Sequence, residues 1–355
     1  MKLADLGYSA FFEAQRQRLG LDGHPVARVI AEYKEAYTVK NEAGEFPAKI
    51  TGKQLFSAKC REDFPAVGDW AAVSLPGDGS AVIRAVLPRS SLLRRRGAGR
   101  FSSQVIAANL DSAFIIESLD RDFSLNRFER YCALARDGGI TPSIVLNKTD
   151  LASPAELEEK TAAIRERFAD MDIIPTSAAA GQGLEELRSR ILPGKTYCFL
   201  GSSGVGKSSL INRLLGSDAI RTLAIGEGTG RGKHTTTGRE MYFPGGGGII
   251  IDNPGMREVG MADSGAGINN VFEEITALAE NCRFKDCTHE REPGCAVQAA
   301  LETGELDQGR YANYLKLKKE AAHYRLNNAG RREKDRRFGK FIKKTLDQIK
   351  KNGTP

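Results

Sequence analysis

Five short stretches between Pro25 and Arg89 alternate apolar and polar positions: 26–33, 37–40, 45–51, 69–75 and 81–87. Period-two alternation marks strands with one buried face, and Gly44, Pro65, Gly68, Pro76 and Gly77 punctuate them. The pattern predicts a small five-stranded barrel over residues 23–90, behind an amphipathic, charged helical segment at 1–22. It does not separate an OB-type from an SH3-like barrel; the former would offer a nucleic-acid-binding face. Residues 91–104, with Arg94, Arg95, Arg96 and Arg100, read as a flexible basic linker. Beyond it the alternation gives way to compact apolar runs at 110–117, 143–146, 172–174, 196–200 and 248–251, the signature of buried parallel strands. Residues 209–215 place Leu210, Ile211, Leu214 and Leu215 on one side of a helix.

The strand ends carry chemistry. After 196–200 come Gly201, Ser202, Ser203, Gly204, Val205, Gly206, Lys207 and Ser208, a complete G-x-x-x-x-G-K-[ST] phosphate loop leading through Ser209 into a helix. Its glycines let backbone N–H groups close on phosphates, Lys207 reaches the β and γ groups, and Ser208 ligates magnesium. After 143–146 come Asn147, Lys148, Thr149 and Asp150, a guanine-reading box. A carboxylate accepts from guanine N1–H and the 2-amino group together, whereas adenine leaves it unpaired. Asn147 ties the loop together and Lys148 packs its stem over the base. Thr176, Ser177 and Ala178 follow the next strand and fit the accompanying box, whose backbone N–H meets guanine O6.

Asp252 and Gly255 form a D-x-x-G pattern that senses magnesium and the γ-phosphate. Between it and the phosphate loop, 226–238 reads as a glycine-rich switch segment, in which one of Thr235, Thr236 and Thr237 closes on magnesium. Met256 stands where Ras-like enzymes carry a water-orienting glutamine, so intrinsic hydrolysis is expected to be slow. His234 is the internal candidate for the missing catalytic group, although a histidine in a basic loop equally suits phosphate or RNA contact. The guanine box precedes the phosphate loop, the reverse of the usual order, which predicts a circularly permuted GTPase over 105–278.

Cys282, Cys287, His289 and Cys295 form a C-x4-C-x-H-x5-C cluster that suits one structural, tetrahedral zinc; a disulfide is the competing reading. Cys60, Cys132 and Cys198 read as core residues. The chain has 355 residues and net charge +7, but Lys316 onward holds fourteen Lys or Arg against four Asp or Glu. That segment is therefore +10 and the rest about −3, so the basic helical tail suits a phosphate backbone or a solvated helix face. No apolar run spans a bilayer and 1–20 lacks a signal core, which predicts a soluble, cytoplasmic protein without a membrane partner.

Taken together, the barrel, the Asn147–Asp150 box ahead of the Gly201–Ser208 loop, Met256 after the sensor, and the Cys282, Cys287, His289, Cys295 cluster resemble the bacterial ribosome small subunit-dependent GTPase A family. The resemblance covers nearly the whole chain; Asn253 and the lysine-rich end match more loosely. It implies a multidomain protein with an N-terminal OB-type β-barrel, a central circularly permuted α/β P-loop GTPase and a C-terminal zinc-binding helical domain at 279–355. It implies a monomer acting late in small-subunit maturation, which binds the small ribosomal subunit and its rRNA, hydrolyses GTP with Mg2+ when docked, and leaves. His234 matches the family's proposed catalytic histidine. The competing function is a GTP-regulated RNA-binding module in which hydrolysis is incidental.

Overall fold

The computed structural model describes residues 1–33, 36–52, 54, 58, 60–96, 103–120, 123–220, 239–252 and 265–322. The chain forms two compact units, residues 1–259 with 266–273, and residues 260–265 with 274–355.

In the first unit, strands β1 (Val26–Tyr33), β2 (Ala36–Asn41), β3 (Gly44–Ile50), β4 (Trp70–Ser74) and β5 (Ala81–Val86) pair in the order β1-β2-β3-β5-β4. A further β4–β1 pairing closes the ring, giving an OB-like barrel. Alternate residues point inward: Ala27 and Val29, Tyr37 and Val39, Ala71 and Val73, Ala81 and Ile83. The three alanines and three valines among them let the small ring fill its bore with side chains. The N-terminal helix α1 (Ala10–Arg18) buries Phe12 with Leu6, Val26, Trp70 and Leu87 in a second cluster. Arg28 is buried and donates from Nε to Gly68 O (3.2 Å), from Nη1 to Leu6 O (2.5 Å) and from Nη2 to Asn109 O (3.2 Å). Three separate segments thus spend their carbonyls on one cation.

The 91–104 stretch is not a free linker. Strand β6 (Leu92–Arg96) pairs antiparallel with β7 (Ser103–Ala108), and Arg95 donates from Nη2 to Gln104 Oε1 at 2.9 Å across the ribbon. Consecutive arginines hide strand character because their charge masks the alternation, while Leu93 and Val105 are buried on the inner face.

The remaining elements are β8 (Ser112–Ser118), α2 (Leu125–Asp137), β9 (Thr141–Asn147), α3 (Pro154–Arg167), β10 (Ile173–Pro175), α4 (Leu184–Ser189), β11 (Thr196–Leu200), α5 (Lys207–Leu215), β12 (Arg239–Tyr242), β13 (Ile249–Asp252) and α6 (Gly265–Val271). Strands run β10-β9-β8-β11-β13-β12, all parallel except β12. Phe114, Ile116, Val145, Phe199 and Ile250 from the sheet meet Leu187 of α4 and Leu210, Ile211 and Leu214 of α5. Helix α3 starts on a Ser153–Glu156 capping box with Pro154 in its first turn. The sheet does not stop at β12: Ala31 and Glu32 of β1 pair with Glu240 and Arg239, so the barrel and the α/β domain share eleven strands.

In the second unit, α7 (Glu273–Ala279), α8 (Ala296–Thr303) and a helix at 308–322 frame a polar loop, with Val297, Ala300, Tyr314 and Leu317 buried. Of the three isolated cysteines, Cys132 and Cys198 are buried as expected, but Cys60 is exposed. It occupies a turn whose amide donates to Asp63 Oδ2 (3.0 Å), among the polar neighbours Arg61, Glu62 and Asp63. No helix among the described residues is long and apolar enough to cross a membrane.

Candidate active site and metal centre

The loops leaving β9, β10 and β11 converge at the carboxyl end of the sheet, where α/β folds bind ligands. The phosphate loop closes on β8: Gly201 has φ +153, and a Cβ there would lie 2.3 Å from Ile116 O. Gly206 has φ +95, and its Cβ would strike Asn147 Nδ2 at 2.2 Å. The guanine box and the phosphate loop therefore touch, and only glycine permits it. Asn147 is 1 % exposed. Its Nδ2 donates to Val205 O at 2.8 Å, while its Oδ1 accepts from Ala178 N (3.2 Å) and Thr176 Oγ1 (3.3 Å). One amide thus joins the guanine box, its companion and the phosphate loop.

Lys207 is the first residue of α5, whose start carries no side-chain cap, leaving first-turn N–H groups for an anion. Its Nζ donates to Gly201 O (2.7 Å) and Ser202 O (2.5 Å). Burial pushes its pKa down to about 8, opposed by the nearby carboxylates of Asp252 and Glu117. Glu117 is buried and pairs with Arg127 (2.9 Å). Tyr131 of α2 is hydrogen-bonded with Ser202, so the loop is braced from the neighbouring helix.

Asp150 accepts from Ser177 Oγ at 2.5 Å through Oδ1. Thr149 donates from N and Oγ1 to Thr176 O, both at 3.1 Å. Lys148 adopts the left-handed conformation (φ 61), a backbone strain typical of sites that must aim a side chain. Its ammonium pairs with Asp120 at 2.7 Å. Asp120, Glu117 and Tyr131 belong to no motif; Glu117 and Asp120 lie at or just beyond the carboxyl end of β8, and Tyr131 lies within α2. Ser203, Gly204, Ser208 and Ser209 fall in the loop and the first turn of α5, and Asp252 ends β13. His234, Thr235, Thr236, Thr237, Asn253, Gly255, Met256 and the tail beyond 322 lie outside the described residues.

Residues 86–262 match the sequence profile of the family described as RsgA GTPase. The "Small ribosomal subunit biogenesis GTPase RsgA 2" of Lactiplantibacillus plantarum is 43 % identical over 309 residues, 86 % of each chain. The chain belongs to the RsgA GTPase family. The "Small ribosomal subunit biogenesis GTPase RsgA" of Opitutus terrae is 43 % identical over 335 residues, 91 % of this chain and 90 % of that one. The crystal structure of YjeQ from Thermotoga maritima superposes with TM-score 0.64 at 28 % identity, covering 84 % of this chain and 98 % of its own. The chain is thus a circularly permuted RsgA GTPase with an N-terminal barrel.

In the second unit, the ligand atoms of Cys282, Cys287, His289 and Cys295 lie within 4.8 Å of one another. Cys282 Sγ is 3.8 Å from Cys295 Sγ, and each is 3.6 Å from His289 Nδ1. Zinc at about 2.3 Å from sulfur and 2.0–2.1 Å from nitrogen, with tetrahedral angles, requires separations of about 3.8 and 3.6 Å. The donor set and spacing fit. Tyr311 Oη donates to His289 O at 2.6 Å, and Gln298 Nε2 donates to the same carbonyl. Glu292 collects the amides of Thr288, Glu290 and Arg291; its hydrogen bond from the Thr288 hydroxyl leads in pulling its pKa down to about 2.

Proposed function

We propose that this chain is a GTP hydrolase of late small-subunit maturation, which binds the small ribosomal subunit and its rRNA, hydrolyses GTP when docked, and then dissociates. The observation that carries the reading is the Asn147 Nδ2 to Val205 O hydrogen bond, which joins a guanine box and a phosphate loop that the chain delivers in reversed order. The partner is supported by relatives named as small ribosomal subunit biogenesis GTPases.

Asp150 accepts guanine N1–H and the 2-amino group, the Ala178 N–H serves O6, and Lys148 lays its stem over the ring. Lys207 leaves the carbonyls of Gly201 and Ser202 for the β and γ phosphates, whose charge the N-terminal amides of α5 also meet. Ser208, Asp252 and one of Thr235, Thr236 and Thr237 hold Mg2+, which neutralises charge developing on the phosphates. Gly255 offers its N–H to the γ-phosphate, and His234 orients water in place of the glutamine that Met256 replaces. Cys282, Cys287, His289 and Cys295 hold one structural zinc, which supplies folding free energy to a loop with little apolar content. The barrel at 23–90 and the basic tail provide RNA-binding surface around the GTPase at 105–278, and the protein works as a cytoplasmic monomer.

The test is GTP turnover with and without purified small subunits. Supplying a missing charge-stabilising or water-positioning element accelerates related GTPases on the order of 10³–10⁵-fold. A comparable stimulation is expected here, and His234→Ala should remove it while leaving subunit binding in place. Absence of stimulation in the wild type would favour the RNA-binding module in which hydrolysis is incidental.

A further inference from the structure

We propose that Asp120 is a positioning residue for the base site: it fixes the Lys148 ammonium so that the lysine stem stands as a preformed wall beside the guanine ring. The inference rests on the reading of Asn147 to Asp150 as the guanine box.

Both oxygens of the Asp120 carboxylate are committed. Oδ2 receives the Lys148 ammonium at 2.7 Å, and Oδ1 accepts from Ser118 Oγ at 2.8 Å. Ser118 is 2 % exposed, ends β8 and sits in register with Asn147 of β9. The next amide, Leu119 N, donates to Asn147 O at 3.1 Å. The carboxylate is therefore anchored to the same pair of strand ends that carries the guanine box. It holds the one box side chain long enough to wander.

Freedom is the reason for such an anchor. Lysine has four rotatable side-chain bonds, and a base that needed to order them would bind more weakly. At Lys148 the left-handed backbone sets the direction in which the side chain leaves, and the ion pair sets where it ends. The pair is only partly solvent-exposed, with side-chain exposures of 18 % and 32 %, so it is less screened than a surface pair. Two carboxylates then divide the work. Asp150, held by the Ser177 hydroxyl, reads the base edge; Asp120, held by the Ser118 hydroxyl, positions the lysine. Neither Asp120 nor Ser118 lies in a nucleotide motif, which is why their contribution escapes motif matching.

The experiment measures Kd for GDP, IDP and XDP on the full chain by titration calorimetry, for wild type, Asp120→Asn, Ser118→Ala, Lys148→Met and the Asp120→Asn/Lys148→Met double variant. Loss of an anchoring ion pair of this exposure should weaken all three nucleotides alike by about three- to fivefold. The factors should match because the lysine stem covers the ring without touching its substituents. Ser118→Ala, which frees one carboxylate oxygen and keeps the charge, should give a smaller loss of the same pattern. In the Lys148→Met background Asp120→Asn should add nothing. An unaltered Kd for Asp120→Asn, a loss confined to one base, or a full additional loss in the double variant would each overturn the proposal. An Asp150→Asn variant whose preference for GDP over XDP is unchanged would instead overturn the guanine-box reading itself, so the two failures are distinguishable.

Discussion

Replacing Asn147 with alanine removes the side chain that ties the guanine box, its companion and the phosphate loop together, and the cost can be worked from its contacts. Three partners lose their hydrogen bonds: Val205 O, Ala178 N and Thr176 Oγ1. Leaving a buried polar group unsatisfied costs about 1–3 kcal/mol. The Thr176 hydroxyl also has Leu146 O within 3.4 Å and can turn to it, so two groups carry the cost. The expected destabilisation is about 2–4 kcal/mol, because some water will enter beside the phosphate loop. Urea denaturation with a two-state fit should show the midpoint falling at unchanged slope. Nucleotide affinity should fall further than stability alone requires, since the loop and the box no longer share a fixed spacing. By the same energy scale the Kd for GDP should rise by roughly 30-fold or more, as read by fluorescent-nucleotide titration well below the unfolding midpoint. A variant with wild-type stability and wild-type GDP affinity would refute the argument that this amide couples the motifs.

Asp150→Asn should shift preference from guanosine towards xanthosine nucleotides by roughly tenfold or more, since an amide satisfies one of guanine's two donors where the carboxylate satisfies both; competition binding reads it, and unchanged preference removes the base-reading role. Chelation, or Cys287→Ser, should make the segment around 282–295 protease-sensitive while leaving GDP binding intact, and metal analysis should find about one zinc per chain; a metal-free protein that resists protease equally would contradict this. Nucleotide affinity should fall as pH rises through about 8, the pKa to which burial lowers Lys207 in the free chain. Phosphates raise that pKa in the complex, so binding takes up a proton above pH 8 and the Lys207 contribution is constant near and below pH 7; GDP should bind roughly tenfold more weakly at pH 9 than at pH 7. Calorimetry in buffers of different ionisation enthalpy would detect that proton, and equal heats would exclude it.

The readable parts of this chain were those in which side chains do the work. Alternation located the barrel strands to within one or two residues, because inward positions such as Val29, Val39 and Val73 must be apolar for the ring to close. The phosphate-loop and guanine-box patterns are spelled by particular side chains at fixed spacing, and the fold brings the two segments into contact. Backbone pairing leaves no such trace. Strand β12 is four residues long, and nothing in Arg239–Tyr242 says that it will pair with a barrel strand some two hundred positions earlier. The β6–β7 ribbon was hidden by its arginines, and Asp120 by lying two residues past a strand end in an unremarkable loop.

Strand order explains how the permutation leaves the site unharmed. The guanine half, β8 to β10, lies wholly on one side of β11, and β13 and β12 lie wholly on the other. Exchanging the order of two contiguous halves changes only connections at their margins, while Asn147 still meets Val205 across the seam. The same order puts β12 at the margin of the α/β sheet, where an unpaired edge would be a liability for association with other chains. Barrel strand β1 covers it. Ala31 pairs with Glu240, and Glu240 pairs with Asp252, so one row crosses from the barrel to the residue that ends β13. The Arg239–Glu32 ion pair at 2.9 Å, with both side chains mostly buried, fixes the register of that row. A sheet slips by whole residues, and a one-residue slip reverses every side chain, so this junction does not deform gradually. The barrel is therefore held, through β12, to the strand that ends in Asp252 by backbone hydrogen bonds in a single register, and motion of one without the other requires breaking that row.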